Sequence, residues 1–272
     1  MRRGHNYLAG AAAGVWLLII AIPLYAMVSS SLKTRTDFSN SGPLALPTEP
    51  TLQNMLEVIA SSFPRYLLNT AIVTVAVVAL VVALVVPLAY VVVRNRGRAV
   101  STIFRVFLLG LAIPVQAVAI PVFYLISIAG LYDNLIGVIL PTAAFCLPVC
   151  TLVLSGAMRD VSPEMYEALA LDGGGSFRAF WTLAVPLSRS GIATIVVYSA
   201  LQAWNGFLFP LVLTQSVDTK TIPLGLFDFQ TQFSVNMPAL MSAVLLSTIP
   251  VLIVYLIARR SLVQGLMGIG GK

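Results

Sequence analysis

Uncharged runs of 25 to 30 residues alternate along the chain with short segments that hold its charges. The runs are Asn6–Leu32, Tyr66–Val93, Val106–Tyr132, Asn134–Met158, Ser190–Val217 and Phe229–Ala258. A helix rising about 1.5 Å per residue crosses the hydrocarbon of a bilayer in about 20 residues, so each run is long enough to span. None alternates apolar and polar residues with a turn every ten positions, as a lipid-facing β-barrel would require. The pattern predicts an all-α integral membrane fold with six transmembrane helices, near 8–32, 66–93, 106–130, 135–158, 190–213 and 236–258.

Only two connections are long enough to hold structure of their own. Lys33–Pro64 contains the run Pro43-Leu44-Ala45-Leu46-Pro47-Thr48-Glu49-Pro50, whose prolines predict an extended cap. A short helix over 52–61 with Thr51 as N-cap is expected to follow. The connection Arg159–Arg189 carries seven charges in 31 residues and cannot span. Ser162 as N-cap, Pro163 at the first helical position and Glu164 in the first turn predict a helix over Pro163–Leu171. Asp172-Gly173-Gly174-Gly175 closes it, since glycine supplies the left-handed residue at a helix end. Ser176 is expected to cap a second helix, Phe177–Ala184, terminated by Pro186. Met165 with Leu169, and Phe177 with Trp181, give each helix an apolar edge. A helix pair of this kind is suited to meeting another protein. The remaining links are short, and no repeat of 20–50 residues is evident.

Composition sharpens this picture. Of the 272 residues, 58% are hydrophobic and 10% charged, with a mean hydropathy of +0.94; a soluble domain is about 25% charged. A soluble enzyme is therefore excluded. Twelve Lys and Arg fall on the side of the termini and of 159–189, and four (Lys33, Arg35, Arg65, Lys220) on the other. That bias predicts both termini in the cytoplasm, with 33–64 outside and 159–189 and 259–272 inside. The net charge of +6 is then a matter of topology, so no nucleic-acid partner is expected. Arg96 and its neighbours between spans two and three read as a topology anchor at anionic lipid. The run Leu8–Val28 exceeds the hydrophobic stretch of a signal peptide and reads as an uncleaved anchor. Cys146 and Cys150 lie one turn apart with no His nearby, which suits helix packing better than a metal site.

Candidate chemistry is sparse. No run contains an ionisable residue, which argues against an ion-coupled carrier and an intramembrane enzyme. The chain has no G-x-x-x-x-G-K-[ST] loop and is not expected to bind ATP itself. Gln116, Gln202, Trp204 and Asn205 are candidates to line a pathway for a neutral solute, because amides in lipid need a partner or a cavity. Hydrogen bonding between helices is an equal alternative for them. Pro87, Pro114, Pro121, Pro141, Pro148, Pro210 and Pro250 fall inside runs as kink positions, for gating or merely tolerated.

Glu167-Ala168-Leu169, then Gly173, then Leu183-Ala184-Val185-Pro186 resembles the EAA motif of permease subunits of bacterial ABC importers, with its spacing intact. Leu169 stands where the family has a second alanine, Leu183 for its Ile and Val185 for its Leu. The segment Trp204–Thr214 and the end of the chain, with Gly265, Leu266, Gly268 and Lys272, resemble the carbohydrate permeases related to the maltose importer. This resemblance covers essentially the whole chain. It implies a MetI-like permease fold in the bacterial plasma membrane, with one of two different permease subunits forming a sugar pathway. It implies two cytoplasmic ATPases holding ATP and Mg, and an external sugar-binding protein or lipoprotein; the chain itself would hold no cofactor and no metal. It gives Glu167, Ala168, Leu169, Gly173, Leu183 and Pro186 to an ATPase-coupling helix, with Glu167 facing a basic residue, and the tail a place near the ATPase interface. A permease for peptides, amino acids, phosphate or glycerol-phosphate-type solutes shares the motif and is the alternative.

Overall fold

The structure, a computed structural model, describes residues 7–95, 97–230 and 235–267. Arg2, Arg3, His5, Arg96, Gly268 and Lys272 lie outside them. The described residues form no strand, and helices account for most of them. The fold is all-α and membrane-embedded.

In order, the helices are α1 (Tyr7–Ser31), α2 (Arg35–Ser41), α3 (Gln53–Ala60), α4 (Phe63–Arg94), α5 (Arg98–Leu108), α6 (Ala119–Ile128) and α7 (Leu135–Arg159). They continue as α8 (Pro163–Leu171), α9 (Ser176–Ala179), α10 (Val185–Leu187), α11 (Arg189–Trp204), α12 (Leu208–Leu213), α13 (Ile222–Gly225) and α14 (Met237–Met267). Short 3₁₀ turns cover Leu109–Ala112, Val115–Val118 and Leu226–Phe229. Among the described residues, four helices are each long and apolar enough to cross a membrane: 10–31, 63–94, 135–159 and 237–256. Two bent pairs bring the number to six if each counts as one span.

The third expected span, 106–130, is not one straight helix. Helix begins at Arg98 and breaks at Ile113-Pro114, and the pieces on either side meet at 94°. Pro114 has no N–H to continue the ladder and pushes Ile113 into extended backbone, φ −84° and ψ 113°. The fifth, 190–213, is helical only to Trp204 and resumes at Leu208. The last helix continues through Met267, so Gly265 and Leu266 belong to it and not to a loose tail.

Two compact units divide the chain, Met1–Pro64 with Gly225–Ile253, and Arg65–Leu224 with Val254–Lys272. In the second, buried positions recur every four residues on helices that are apolar all round. Val73, Val77, Val81 and Val85 on α4 meet Cys146, Cys150, Leu154 and Met158 on α7, with Ile195 and Ala203 on α11 in the same core. Both cysteines are thus free packing residues of that core. At Gly191 a Cβ would lie 2.5 Å from that of Ala157, so only glycine allows α11 to approach α7 so closely. Hydroxyls buried here donate to the preceding turn, Thr151 to the Leu147 carbonyl at 2.7 Å and Ser199 to that of Ile195 at 2.7 Å, leaving no bare polar atom at those sites.

In the first unit the proline run 43–50 is free of helix, as expected, and the helix α2 precedes it. Lys33 is fully buried, and its Nζ donates to Ser41 Oγ at 2.8 Å and to the Gly42 carbonyl at 2.6 Å, closing the end of that helix. Asn54 on α3 donates to the carbonyls of Ser31 and Lys33 at 2.9 and 2.8 Å. Thr51 is not the N-cap residue of α3, which is Leu52, although the Thr51 hydroxyl does accept the Gln53 N–H at 3.1 Å.

Candidate functional site: the loop between α7 and α11

Helix α8 runs where the pattern placed it, but its caps differ in detail. Ser162 is the N-cap residue, yet its hydroxyl donates to the Glu164 carboxylate at 2.6 Å and caps no backbone N–H. At the other end Gly173 takes φ +77°. Its N–H reaches the Ala170 carbonyl at 3.0 Å, and that of Gly174 reaches the Leu169 carbonyl at 2.8 Å, which is the Schellman closure. Gly174 is as constrained as Gly173. A Cβ there would lie 2.8 Å from the Leu169 carbonyl oxygen and 2.6 Å from its Cγ.

The second helix starts at Ser176 with Gly175 as its cap, one residue earlier than expected. Pro186 does not terminate it. The path widens into a π turn over Phe180–Ala184, where the Val185 N–H reaches back to the Phe180 carbonyl, and continues to Leu187. Widening the turn just ahead of Pro186 accommodates a ring that would otherwise clash with the preceding turn and a residue with no N–H to give. The chain then bends by 71° into α11.

The motif residues separate into two sets. Leu169 and Leu183 come together, half-buried against Val161, Tyr166 and Ala179, with Tyr90 of α4 packed on the same cluster. Glu167, Ala168, Gly173 and Pro186 are exposed. With them on the surface lie Leu171 at 90% exposure, Phe177 at 78% and Trp181 at 56%. Large apolar side chains bared beside charges mark a protein contact more often than a solvated face. Phe177, Trp181 and Phe180 form a chain of edge-on rings that ends on Tyr90, with 5.2 Å between the Phe180 and Tyr90 centroids.

Residues that sequence reasoning did not single out fasten this loop to α4. Tyr90 Oη donates to the Ser176 carbonyl at 3.0 Å. Arg94 Cζ stands 4.1 Å from the centroid of the Tyr166 ring. Burial pushes the Tyr166 phenol above its ordinary pKa, against the opposing pull of the Arg94 charge. An open hollow of about 510 Å³ lies beside this joint, lined by Tyr90, Arg94, Asn95, Tyr166 and Ser176 among others. An aromatic residue four positions before an arginine at the end of a span was the only signal for it.

The pathway candidates are partly gathered. Gln202 is exposed and donates to Tyr198 Oη at 3.0 Å; Thr194, one turn before Tyr198, is exposed too. Thr194, Tyr198 and Gln202 therefore make one polar stripe along α11, a spacing of four that was readable in the sequence. Asn205 follows at the helix end and donates to the Leu201 carbonyl at 2.9 Å, while Trp204 is half-buried. Gln116 sits in the 3₁₀ turn just after the Ile113-Pro114 break, exposed, and its side chain makes no hydrogen bond among the described residues. The residues of α11 thus form one group and Gln116 stands on a different element.

Away from the loop, Asp133 takes φ +55° in the turn between α6 and α7. Its carboxylate accepts the N–H groups of Gln215 at 2.8 Å and Ser216 at 3.0 Å, together with the hydroxyls of Ser216 and Thr219. The Gln215 N–H and the Thr219 hydroxyl lower its pKa to about 2, against a smaller opposing effect of burial. This clamp ties the α6–α7 turn to the segment after α12.

Comparison with known proteins gives consistent likenesses. Residues 85–267 match the family described as binding-protein-dependent transport system inner membrane component. A putative ABC transporter permease protein of a Caldicellulosiruptor strain is 32% identical over 93% of this chain and 92% of its own length. The diacetylchitobiose uptake system permease protein NgcG of Streptomyces coelicolor is 30% identical over 90% of this chain and 82% of its own. The glucose import system permease protein GlcU of Saccharolobus solfataricus is 28% identical over 98% and 94%. In fold, the chain resembles one from the crystal structure of a bacterial ABC transporter involved in the import of the acidic polysaccharide alginate. The TM-score is 0.82 with 21% identity, covering 94% of this chain and 95% of that one.

Proposed function

The chain belongs to the family of binding-protein-dependent transport system inner membrane components, and from that premise we propose that it carries a sugar or oligosaccharide through an ATP-driven importer. Membership makes it a multi-pass membrane permease that works with other importer components and hydrolyses no ATP itself. In this reading it pairs with a second, different permease subunit, docks on two ATPase subunits that hold ATP and Mg, and receives its solute from an extracytoplasmic binding protein. The chain needs no cofactor of its own. Both termini face the cytoplasm of a bacterial cell, with 33–64 outside.

One observation carries the coupling role. The loop between α7 and α11 bares Glu167, Leu171, Phe177 and Trp181 on a helix pair closed by Gly173, while its inner side is fastened to α4 through Tyr90 and Arg94. A rigid body with one anchored and one bared face can pass a push from a partner into a span. In the same reading Gly265, Leu266, Gly268 and Lys272 form a second contact with the ATPases. Relatives named for diacetylchitobiose uptake and glucose import support a carbohydrate as the solute. The polar stripe Thr194–Tyr198–Gln202, with Trp204 and Asn205 beyond it, offers hydroxyl and amide groups beside an aromatic face, which suits a neutral sugar. Gln116 marks a second wall of that pathway.

Gly173→Asp and Glu167→Lys test the coupling role. Each is expected to reduce ATPase association and sugar uptake while the protein still inserts. Undiminished sugar-stimulated ATP hydrolysis by the reconstituted complex carrying both changes would overturn it.

A further inference from the structure

Helix α5 is unlike the spans. Its eleven residues, Arg98–Leu108, sort into three stripes at helical spacing. Val100, Phe104, Phe107 and Leu108 are half-buried and form its inner side. Ala99, Ile103 and Val106 are exposed, Ile103 at 67% and Val106 at 60%. Arg98, Ser101, Thr102 and Arg105 are exposed on a third side, where Arg105 folds back onto Ser101. A span surrounded by lipid would have no polar stripe, and a helix in water would not bare an apolar one. The three together are what a helix at a lipid–water boundary requires: one side for the protein, one for acyl chains and one for headgroups.

Two further features agree. The 94° bend at Ile113-Pro114 separates the direction of α5 from that of α6. And no acidic residue occurs between Glu57 and Asp133, so none on this element can neutralise Arg94, Arg98 or Arg105; among the described residues none of the three is in an ion pair.

We propose that α5 lies in the leaflet on the side of the α7–α11 loop, with Ala99, Ile103 and Val106 among acyl chains and Arg98 and Arg105 holding the headgroups of anionic phospholipids. Arg94, at the end of α4 just before α5, stands over Tyr166, so α5 begins close in the chain to the loop that meets the partner. This inference does not depend on which solute is carried.

The test uses the assembled transporter in nanodiscs of equal phosphatidylglycerol and phosphatidylcholine. An environment-sensitive fluorophore is placed by Ile103→Cys, the native Cys146 and Cys150 being buried. Brominated acyl chains are carried on one lipid or the other. Quenching by both is expected, with phosphatidylglycerol enriched near the label by roughly five- to thirtyfold for one to two arginine charges at the surface. R98Q/R105Q should abolish the enrichment and leave quenching itself in place; R98K/R105K should keep both. No quenching from either lipid, or quenching only when the ATPases are omitted, would overturn the placement and make this face a protein contact. Equal quenching by both lipids in the unaltered arginine background would overturn the headgroup role.

Discussion

Arg94 lays its guanidinium over the ring of Tyr166, 4.1 Å from Cζ to centroid, and so joins the end of α4 to the middle of α8. The pair bridges residues 72 positions apart and fastens the loop together with the contacts of Tyr90 to Ser176 and of Tyr90 to Phe180.

If that joint transmits force, loosening it should separate ATP hydrolysis from transport. Tyr166→Leu keeps much of the burial but removes the cation–π contact, a loss of about 0.5–1 kcal/mol for an arginine that is itself exposed. The expected outcome is normal ATPase association with sugar uptake per ATP reduced several-fold, read in proteoliposomes. Arg94→Lys should fall between Arg94→Gln and the unaltered protein. Equal uptake per ATP in all three would remove the joint from the mechanism.

Glycine substitutions should rank in an order set by geometry. Gly173→Ala forces a side chain onto φ +77°, at about 1–2 kcal/mol. Gly174→Ala places a Cβ 2.8 Å from the Leu169 carbonyl oxygen, and backbone must move to relieve it. Gly175→Ala meets open space. ATPase association by pull-down should therefore fall for the first two and not for the third. Leu169→Ala should restore little to Gly174→Ala, because the carbonyl stays in place.

Much of this architecture was legible in the pattern of charge, and the parts that were not have common causes. Charge gaps located the helices that bury valine and cysteine stripes, and Ser162-Pro163 with Gly173 located α8, because caps and breakers act on their own neighbours. Pro114 was legible as a kink position, but the 94° size of the bend there, and the break after Trp204, lay within uninterrupted apolar runs, where hydropathy says nothing of direction. Lys33 counted only as an external charge, yet it is fully buried, since its acceptors Ser41 and Gly42 are recruited by the folding of α2. Asp133 and Gly174 depend on contacts across a loop or on one carbonyl's position, which no local spacing encodes.

Asp133 should stabilise the loops it joins in a pH-dependent way. Its folded pKa, about 2, lies below the ordinary 3.8, so its contribution is full above pH 3.8 and disappears as pH falls toward 2. Asp133→Asn keeps an acceptor oxygen but removes the charge that strengthens these hydrogen bonds. Thermal unfolding in detergent should show the variant melting lower from pH 7 down to about pH 4, with the gap closing between pH 4 and pH 2. A gap that persists unchanged at pH 2 would assign the effect to packing and not to the carboxylate.

The polar stripe on α11 can be told from a packing device by who reaches it. Thr194, Tyr198 and Gln202 sit one turn apart beside the buried stripe of Gly191, Ile195, Ser199 and Ala203. An exposed amide on a membrane helix needs either water or a partner's polar group. Cysteine placed at Thr194 or Gln202 should react with a membrane-impermeant methanethiosulfonate, whereas Ile195→Cys should not, and the buried Cys146 and Cys150 give little background. The solute should slow the reaction at Gln202, and Gln202→Ala should lower uptake by roughly fivefold, the factor for about 1 kcal/mol of a lost hydrogen bond. A polar helix–helix contact would leave both positions unreactive and would return Gln202→Ala as a loss of assembly. Reaction at both positions with no protection by the solute would mean that water enters there and that the sugar is held elsewhere, on the wall carrying Gln116 or on a second subunit.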